Sequence, residues 1–334
     1  VAYEDAVSEI DRLVALLEQP LQSRAVALEP QAPDAPFVSN TPREQFLANV
    51  VRSKEFIRSG DIIQIVGSQR FSTPVKASPT EIYRAVRSIN PSPYMFLLEL
   101  EGFALVGASP ELHVRCEDRA VEIRPIAGTR RRGANESEDL ALEKELLADP
   151  KERAEHVMLV DLLRNDLARV ARPGTVRVRE LFTVERYAHV MHLVSEVEGR
   201  TGASLGEVFR SLFPGGTITG APKGTVMEAI RDLEPVPRGA YTGSLGYVSG
   251  RGADFNILIR SFQRVGEEVL FSAGAGVVIA SEAEREYEET LHKAQSLLLA
   301  LERGRPGKPP EAPRPRASWS PPMPSRRYGA RVLF

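Results

Sequence analysis

One cysteine in 334 residues, Cys116, has no partner for an internal disulfide and supplies too few thiolates for a cysteine-rich zinc site. Its solitude fits a reducing cytosol. No apolar run approaches the roughly 20 residues of a membrane span, and no signal-peptide pattern opens the chain. Charge of one sign is missing too. The 43 Lys and Arg against 45 Asp and Glu leave −2, so no field advertises a nucleic-acid or membrane partner. There is no internal repeat. The remaining composition is 42% hydrophobic and 26% charged, which excludes collagen-like, coiled-coil and wholly disordered chains. The length suffices for one large domain or two modest ones. Because the first residue is Val1 rather than Met, a fragment or processed chain is expected.

Apolar spacing at Val7, Ile10, Val14 and Leu17 predicts an amphipathic helix over 4–19. Pro20, Pro30, Pro33 and Pro36 mark a connector after it. Thr41-Pro42-Arg43-Glu44 reads as a capping box that opens a helix ending at Gly60. Short apolar stretches at 62–72, 94–100, 103–107, 111–116 and 120–126 read as strands. A charged helical block spans 136–169, with strands near 176–185 and 189–199 and helices at 204–213 and 222–232. Strands return at 241–249, 254–265 and 268–280, before a helix at 283–303. Strand runs broken by helices without strict alternation favour α+β with largely antiparallel sheets. Residues 303–334 hold eight of the 25 prolines and eight basic residues against the single acid Glu311, the composition of a disordered tail. The expected divisions are 1–39, 40–303 and 304–334.

Two acidic pairs stand at helical spacing, Glu152 with Glu155 and Glu286 with Glu289. Residues three apart share a helix face, so each pair can aim two carboxylates one way. Two such faces meeting would form a hard, oxygen-rich pocket suited to Mg2+; taken singly, each is more often a solvated face. The glycine-rich run 214–223, PGGTITGAPK, sits between helical blocks. It is not a Walker loop, because Gly-Lys-Ser/Thr is absent at the required spacing. Its backbone N–H groups and Thr219 hydroxyl can face an anion, or it is a plain tight loop. Gly274 and Gly276 interrupt an apolar strand, a sign of close backbone approach or a bulge. Arg260 and Lys293 are candidate carboxylate partners, and His192 can transfer protons or sit hydrogen-bonded in the core.

Taken in order, 125–129 (PIAGT), 154–166 (AEHVMLVDLLRND), 192–195 (HLVS), 214–223 and 286–290 (EYEET) resemble the chorismate-utilising enzymes, and most of all the anthranilate synthase large subunits. The likeness runs from about residue 40 to 303. It implies an α+β fold of two large antiparallel sheets packed as a sandwich, with helices outside and the active site between the inner elements. Water-using members of the family resemble one another in carrying a lysine base where this chain has Gln64. Aminodeoxychorismate synthases resemble one another in a lysine where this chain has Ala127. The resemblance therefore implies ammonia as nucleophile and anthranilate as product. Aminodeoxychorismate synthesis and a non-catalytic chorismate-binding fragment remain the alternatives.

By the same resemblance, Mg2+ is held mainly by Glu155 and Glu289, with Glu152 and Glu286 as further partners. Gly128, Thr129, Tyr241, Arg260, Lys293 and the backbone of Gly274, Ala275 and Gly276 would clamp chorismate. Glu111, in GASPE (107–111), is the candidate general acid, and His192 and Thr219 lie near the departing group and the ring. Pro93, Tyr94 and Met95 resemble part of a tryptophan feedback site. A separate glutamine amidotransferase would supply ammonia, since Cys116 lacks a glycine-flanked nucleophile elbow. A cytoplasmic enzyme of tryptophan biosynthesis is implied, with no nucleic acid or membrane partner.

Overall fold

In the computed structural model, residues 2–19, 37–187 and 190–303 are described. They fall in two units, one containing the helix α1 (Ala2–Glu18) and the other residues 37–303. In α1, Val7, Ile10, Val14 and Leu17 are exposed. The expected connector prolines and the tail lie outside the described residues.

The larger unit opens with β1 (Val38–Ser39), α2 (Arg43–Arg58), β2 (Gln64–Pro74), α3 (Pro79–Ile89), β3 (Tyr94–Leu100) and β4 (Phe103–Ser109). It continues through β5 (Leu112–Glu117), β6 (Ala120–Ile123), β7 (Ile126–Arg131), α4 (Glu136–Ala148) and α5 (Pro150–Ala168). Then come β8 (Arg177–Arg186), β9 (Val190–Arg200), α6 (Leu205–Leu212), a 3-10 turn (Gly216–Ile218), β10 (Gly220–Ala221) and α7 (Lys223–Leu233). The chain closes with β11 (Ser244–Ser249), β12 (Gly252–Ile257), β13 (Ser261–Val265), β14 (Glu268–Val277) and α8 (Ala283–Arg303).

The strands form two antiparallel sheets of seven, as expected from the family resemblance. One runs β1-β2-β14-β13-β4-β3, with β10 also on β2; the other runs β11-β12-β5-β6-β9-β7, with β8 also on β9. Helices cover the outer faces. Phe71, Phe262 and Phe271 of the first sheet pack against Ile82 and Val86 of α3 and Leu297, Leu298 and Leu301 of α8. Val114, Val121 and Val197 of the second pack against Val160, Leu163 and Leu167 of α5 and Val208 and Leu212 of α6. Each such side chain contributes roughly 1.5–3 kcal/mol on leaving water, which fixes α5 and α8 on their sheets.

Several expectations are corrected. Thr41 does not cap α2: the cap position is Pro42, without a side-chain hydrogen bond. The Thr41 hydroxyl donates instead to Asn40 Oδ1 (3.1 Å), which also accepts from Arg70 N (2.8 Å), so docking onto β2 wins over capping. Capping boxes form at Ser78–Glu81 and Ser204–Glu207. The first of these opens α3, a helix that periodicity alone missed. The block 136–169 is two helices, because Asp149 ends α4 and caps α5, with Pro150 in its first turn. The stretch 254–265 breaks at Arg260, whose φ is +49°. The expected boundary at residue 40 falls just beyond β1, where Val38 pairs with Ser72.

Candidate functional site

A cavity of about 260 Å³ lies where the inner elements of the two sheets meet. Gln64, Val66, Gly274 and Gly276 line it from the first sheet; Ala127, Gly128, Thr129 and His192 line it from the second. A larger opening of about 690 Å³ adjoins it, sharing Gly128, Thr129, Glu155, Arg260, Gly276, Glu289 and Lys293. Glu152 and Glu286 line that outer part. The two acidic pairs thus converge, one from α5 and one from α8, although 130 residues of chain separate them.

Their mutual field is visible in Glu155. Burial, then the charges of Glu152, Glu289 and Glu286, hold its carboxyl above the usual range. Burial likewise raises Glu286. Two cations answer this acidity. Arg130 reaches Glu152 (3.4 Å) and Asp149 (2.7 Å), and Lys293 reaches Glu289 (2.6 Å). As the side chains stand, no group of three or more His, Cys, Asp or Glu among the described residues is gathered for a metal ion. The donor chemistry nonetheless fits a hard divalent cation: four carboxylates face one opening, and the half-buried Glu155 is destabilised by the other three.

Gly128 brings β7 close to this cluster. Its φ of +68° is a backbone conformation that favours glycine, and a Cβ there would lie 3.2 Å from Glu152 Oε2. The β7 bulge between Ala127 and Thr129 sets both residues against β9. His192 Nδ1 lies 3.2 Å from the Gly128 carbonyl and 3.0 Å from the Thr129 hydroxyl. Burial, reinforced by Arg260, pulls its pKa down to about 4, so the ring is neutral near pH 7. A carbonyl can only accept, which assigns the proton to Nδ1 and leaves Nε2 as a bare acceptor. That Nε2 is buried and has no partner among the described residues.

Glu111 stands just beyond the end of β4 and is 6% exposed. Burial pushes its pKa up to about 7, against the opposing effects of Thr217, Arg260 and Lys293. Thr217 donates to Glu111 Oε1 at 2.5 Å. Arg260 also lines the cavity; burial lowers its pKa, with Glu111 and Tyr187 working the other way. Lys293 is the cavity's only lysine among the described residues, and it donates to the Gly274 carbonyl at 2.8 Å as well as pairing with Glu289. A Cβ on Gly274 would meet Tyr241 Oη at 2.8 Å and the Gly67 carbonyl at 2.9 Å, so glycine admits the tyrosine.

Two expected positions do not line the cavity. The Thr219 hydroxyl donates to the Gly215 carbonyl (2.8 Å) and does not line the cavity, because the 3-10 turn presents Thr217 there instead. Of the expected 274–276 backbone, Gly274 and Gly276 line the cavity, whereas Ala275 is fully buried and absent from the lining. Pro93, Tyr94 and Met95 border a second cavity, of about 600 Å³, with Arg115 and Asp254. Sequence reasoning missed Thr217, which offered no signal beyond a second threonine in the same loop. It also missed that Asp166 and Lys223 pair at 2.8 Å and tie α5 to the start of α7.

Comparison with known proteins gives one consistent result. A family model described as chorismate binding enzyme matches residues 2–299. Anthranilate synthase component 1 of Streptomyces coelicolor is 48% identical over 313 residues, covering 90% of this chain and 61% of the relative. That of Thermus thermophilus is 50% identical over 276 residues, covering 82% and 60%. The chain thus spans between about half and three-fifths of the length of the curated relatives it matches. Among solved structures, anthranilate synthase component I from Streptococcus pneumoniae aligns with a TM-score of 0.77 at 35% identity, covering 88% of this chain and 66% of that one. A menaquinone-specific isochorismate synthase from Escherichia coli shares the fold, with a TM-score of 0.75 at 23% identity over 89% of this chain and 69% of that one.

Proposed function

The chain belongs to the chorismate-binding enzymes, and on that premise we propose that it carries the catalytic part of an anthranilate synthase large subunit. Ammonia would add to chorismate at C2 as the C4 hydroxyl leaves, and loss of pyruvate would give anthranilate. The observation that carries this reading is the meeting of α5 and α8, which turns Glu155 and Glu289 toward one cavity beside His192 and Glu111.

Arg260 and the backbone around Gly274 and Gly276 bind the substrate carboxylates, and Tyr241 and Thr129 orient the ring. Glu111, protonated at its raised pKa, donates to the departing hydroxyl. His192 accepts a hydrogen bond at Nε2 while Gly128 and Thr129 hold its ring in place. Glu155 and Glu289 would hold Mg2+, with Glu152 and Glu286 as further partners; when bound, the ion neutralises and orients a substrate carboxylate.

Ammonia is the favoured nucleophile because Gln64 and Ala127 offer no amine, and Lys293 is occupied by Glu289 and Gly274. Free ammonia is scarce at neutral pH, so a glutaminase subunit is the partner this reading requires. The cytoplasm is the compartment it implies. The test is incubation of the purified chain with chorismate, Mg2+ and ammonium, read by anthranilate fluorescence and product mass. A fluorescent product of anthranilate's mass is expected. Aminodeoxychorismate, or binding without turnover, would replace the reading.

A further inference from the structure

Outside the cavity, just past the end of α7, Glu234 and Arg238 form a two-point ion pair. Arg238 Nη2 lies 2.6 Å from Glu234 Oε1, and its Nε lies 2.9 Å from Oε2. Both side chains are largely buried, at 12% and 9% exposure. Removing two charges from water is expensive, and their attraction alone repays little of it. The remaining hydrogen bonds of the pair say what it holds.

Arg238 Nη2 also donates to the Val66 carbonyl (2.6 Å), and Nη1 donates to the Ile218 carbonyl (3.1 Å). Its guanidinium carbon lies 5.6 Å from the centre of the Tyr241 ring. Glu234 Oε1 accepts from the Ser68 amide (3.0 Å) and hydroxyl (2.8 Å). One planar fork therefore reaches β2, the 3-10 turn and Tyr241 together, and Val66, Ile218 and Tyr241 all line the reaction cavity. A lysine ammonium is a point charge and cannot span both carbonyls in that plane.

Ile218 directly follows Thr217, the residue that donates to Glu111. We propose that Arg238 is a positioning residue: clamped by Glu234, it pins the 216–218 turn against β2 and thereby keeps Thr217 on Glu111. The kinetic consequence rests on the function proposed above; the positional consequence does not. Glu111 needs its proton to act as an acid, and the Thr217 hydrogen bond favours the ionised form. Releasing the turn should therefore raise the Glu111 pKa and carry activity to higher pH.

The test compares wild type with Arg238→Lys, which keeps a cation beside Glu234 and loses the fork. Hydrogen exchange of the peptide covering 215–221 should quicken about tenfold, while β14 exchanges as before. A carbon-13 titration of the glutamate carboxyls, with Glu111 assigned through Glu111→Gln, should place the Glu111 transition at higher pH. With chorismate, kcat should fall about tenfold, a 1.4 kcal/mol effect, with KM changed far less, and the alkaline limb should move up. Unchanged exchange overturns the proposal. Faster exchange with an unmoved Glu111 transition also overturns it, leaving a structural ion pair only. Should Arg238→Lys fail to fold, Thr217→Val must show the same upward transition with the ion pair intact, and its absence is equally fatal. A wild type that makes no anthranilate rejects the function, while exchange and titration still decide the positioning role.

Discussion

Glu111 keeps its proton to about pH 7 because its carboxyl is desolvated, and this has a thermodynamic consequence beside the catalytic one. Its folded pKa lies above the ordinary 4.5, so between those values the folded chain holds a proton that the unfolded chain has lost. The stabilising contribution is complete below about pH 4.5 and is lost as pH rises through about 7. Glu111→Gln should therefore gain stability relative to wild type above pH 7, by as much as about 3 kcal/mol. Its turnover should drop roughly 10²–10⁴-fold, as for loss of a general acid. Urea melts at pH 5.5 and 8.5 with kinetics on the same samples check both halves. At Glu155 the expectation differs. Burial and three neighbouring carboxylates strain its charge, so Glu155→Gln should stabilise the protein without Mg2+ yet abolish any Mg2+-dependent turnover. Unchanged activity in that variant would reject the assigned role. The two Glu-x-x-Glu pairs were legible as sequence. Their convergence was expected only through the family resemblance, because it depends on α5 and α8 docking on different sheets, a long-range result that helical spacing does not encode.

The loop 214–223 and the strand β14 show what individual elements contribute. Lys223 Nζ lies 2.8 Å from Asp166, which is 1% exposed, and also donates to the Leu212 carbonyl at 3.1 Å. Lys223→Met would strand a buried carboxylate and should cost about 3–5 kcal/mol, with Asp166→Asn in the same chain restoring much of it. Thermal melts of the single and double variants decide this. In β14 two glycines should behave differently. A methyl at Gly274 meets the Gly67 carbonyl at 2.9 Å and the Tyr241 hydroxyl at 2.8 Å, so Gly274→Ala should cost about 1–3 kcal/mol. At Gly276 the near atom is the Gln64 amide nitrogen, at 2.9 Å on a movable side chain. Gly276→Ala should fold nearly as well and raise KM for chorismate, because the methyl enters the cavity. Most element positions were legible from periodicity. The failures have local causes: a hydroxyl drawn to Asn40 instead of the helix, a proline that splits α4 from α5, and a helix whose signal was its Ser78–Glu81 cap.

For the molecule as a whole, a divalent ion bound only by the folded state stabilises it by mass action, about 2.7 kcal/mol at a hundred times its dissociation constant. Raising MgCl2 at constant ionic strength should lift the melting temperature of wild type and leave Glu155→Gln/Glu289→Gln unmoved. An equal response from both would mean that the acidic cluster is not where the ion binds. The two-sheet architecture was anticipated through family likeness, whereas the strand order, with β14 paired to β2 and β13, follows from contacts too distant for any local pattern. Ten consecutive residues of β14 pair with β2 from Glu268 to Val277, and that run includes both Gly274 and Gly276. The cavity floor at Gly274 and Gly276 is thus part of the longest zipper in its sheet, while the rim at Thr217 and Ile218 is a short turn held by side chains. Adaptation to a differently shaped substrate should accumulate in that rim, and the floor should resist remodelling for as long as the fold persists.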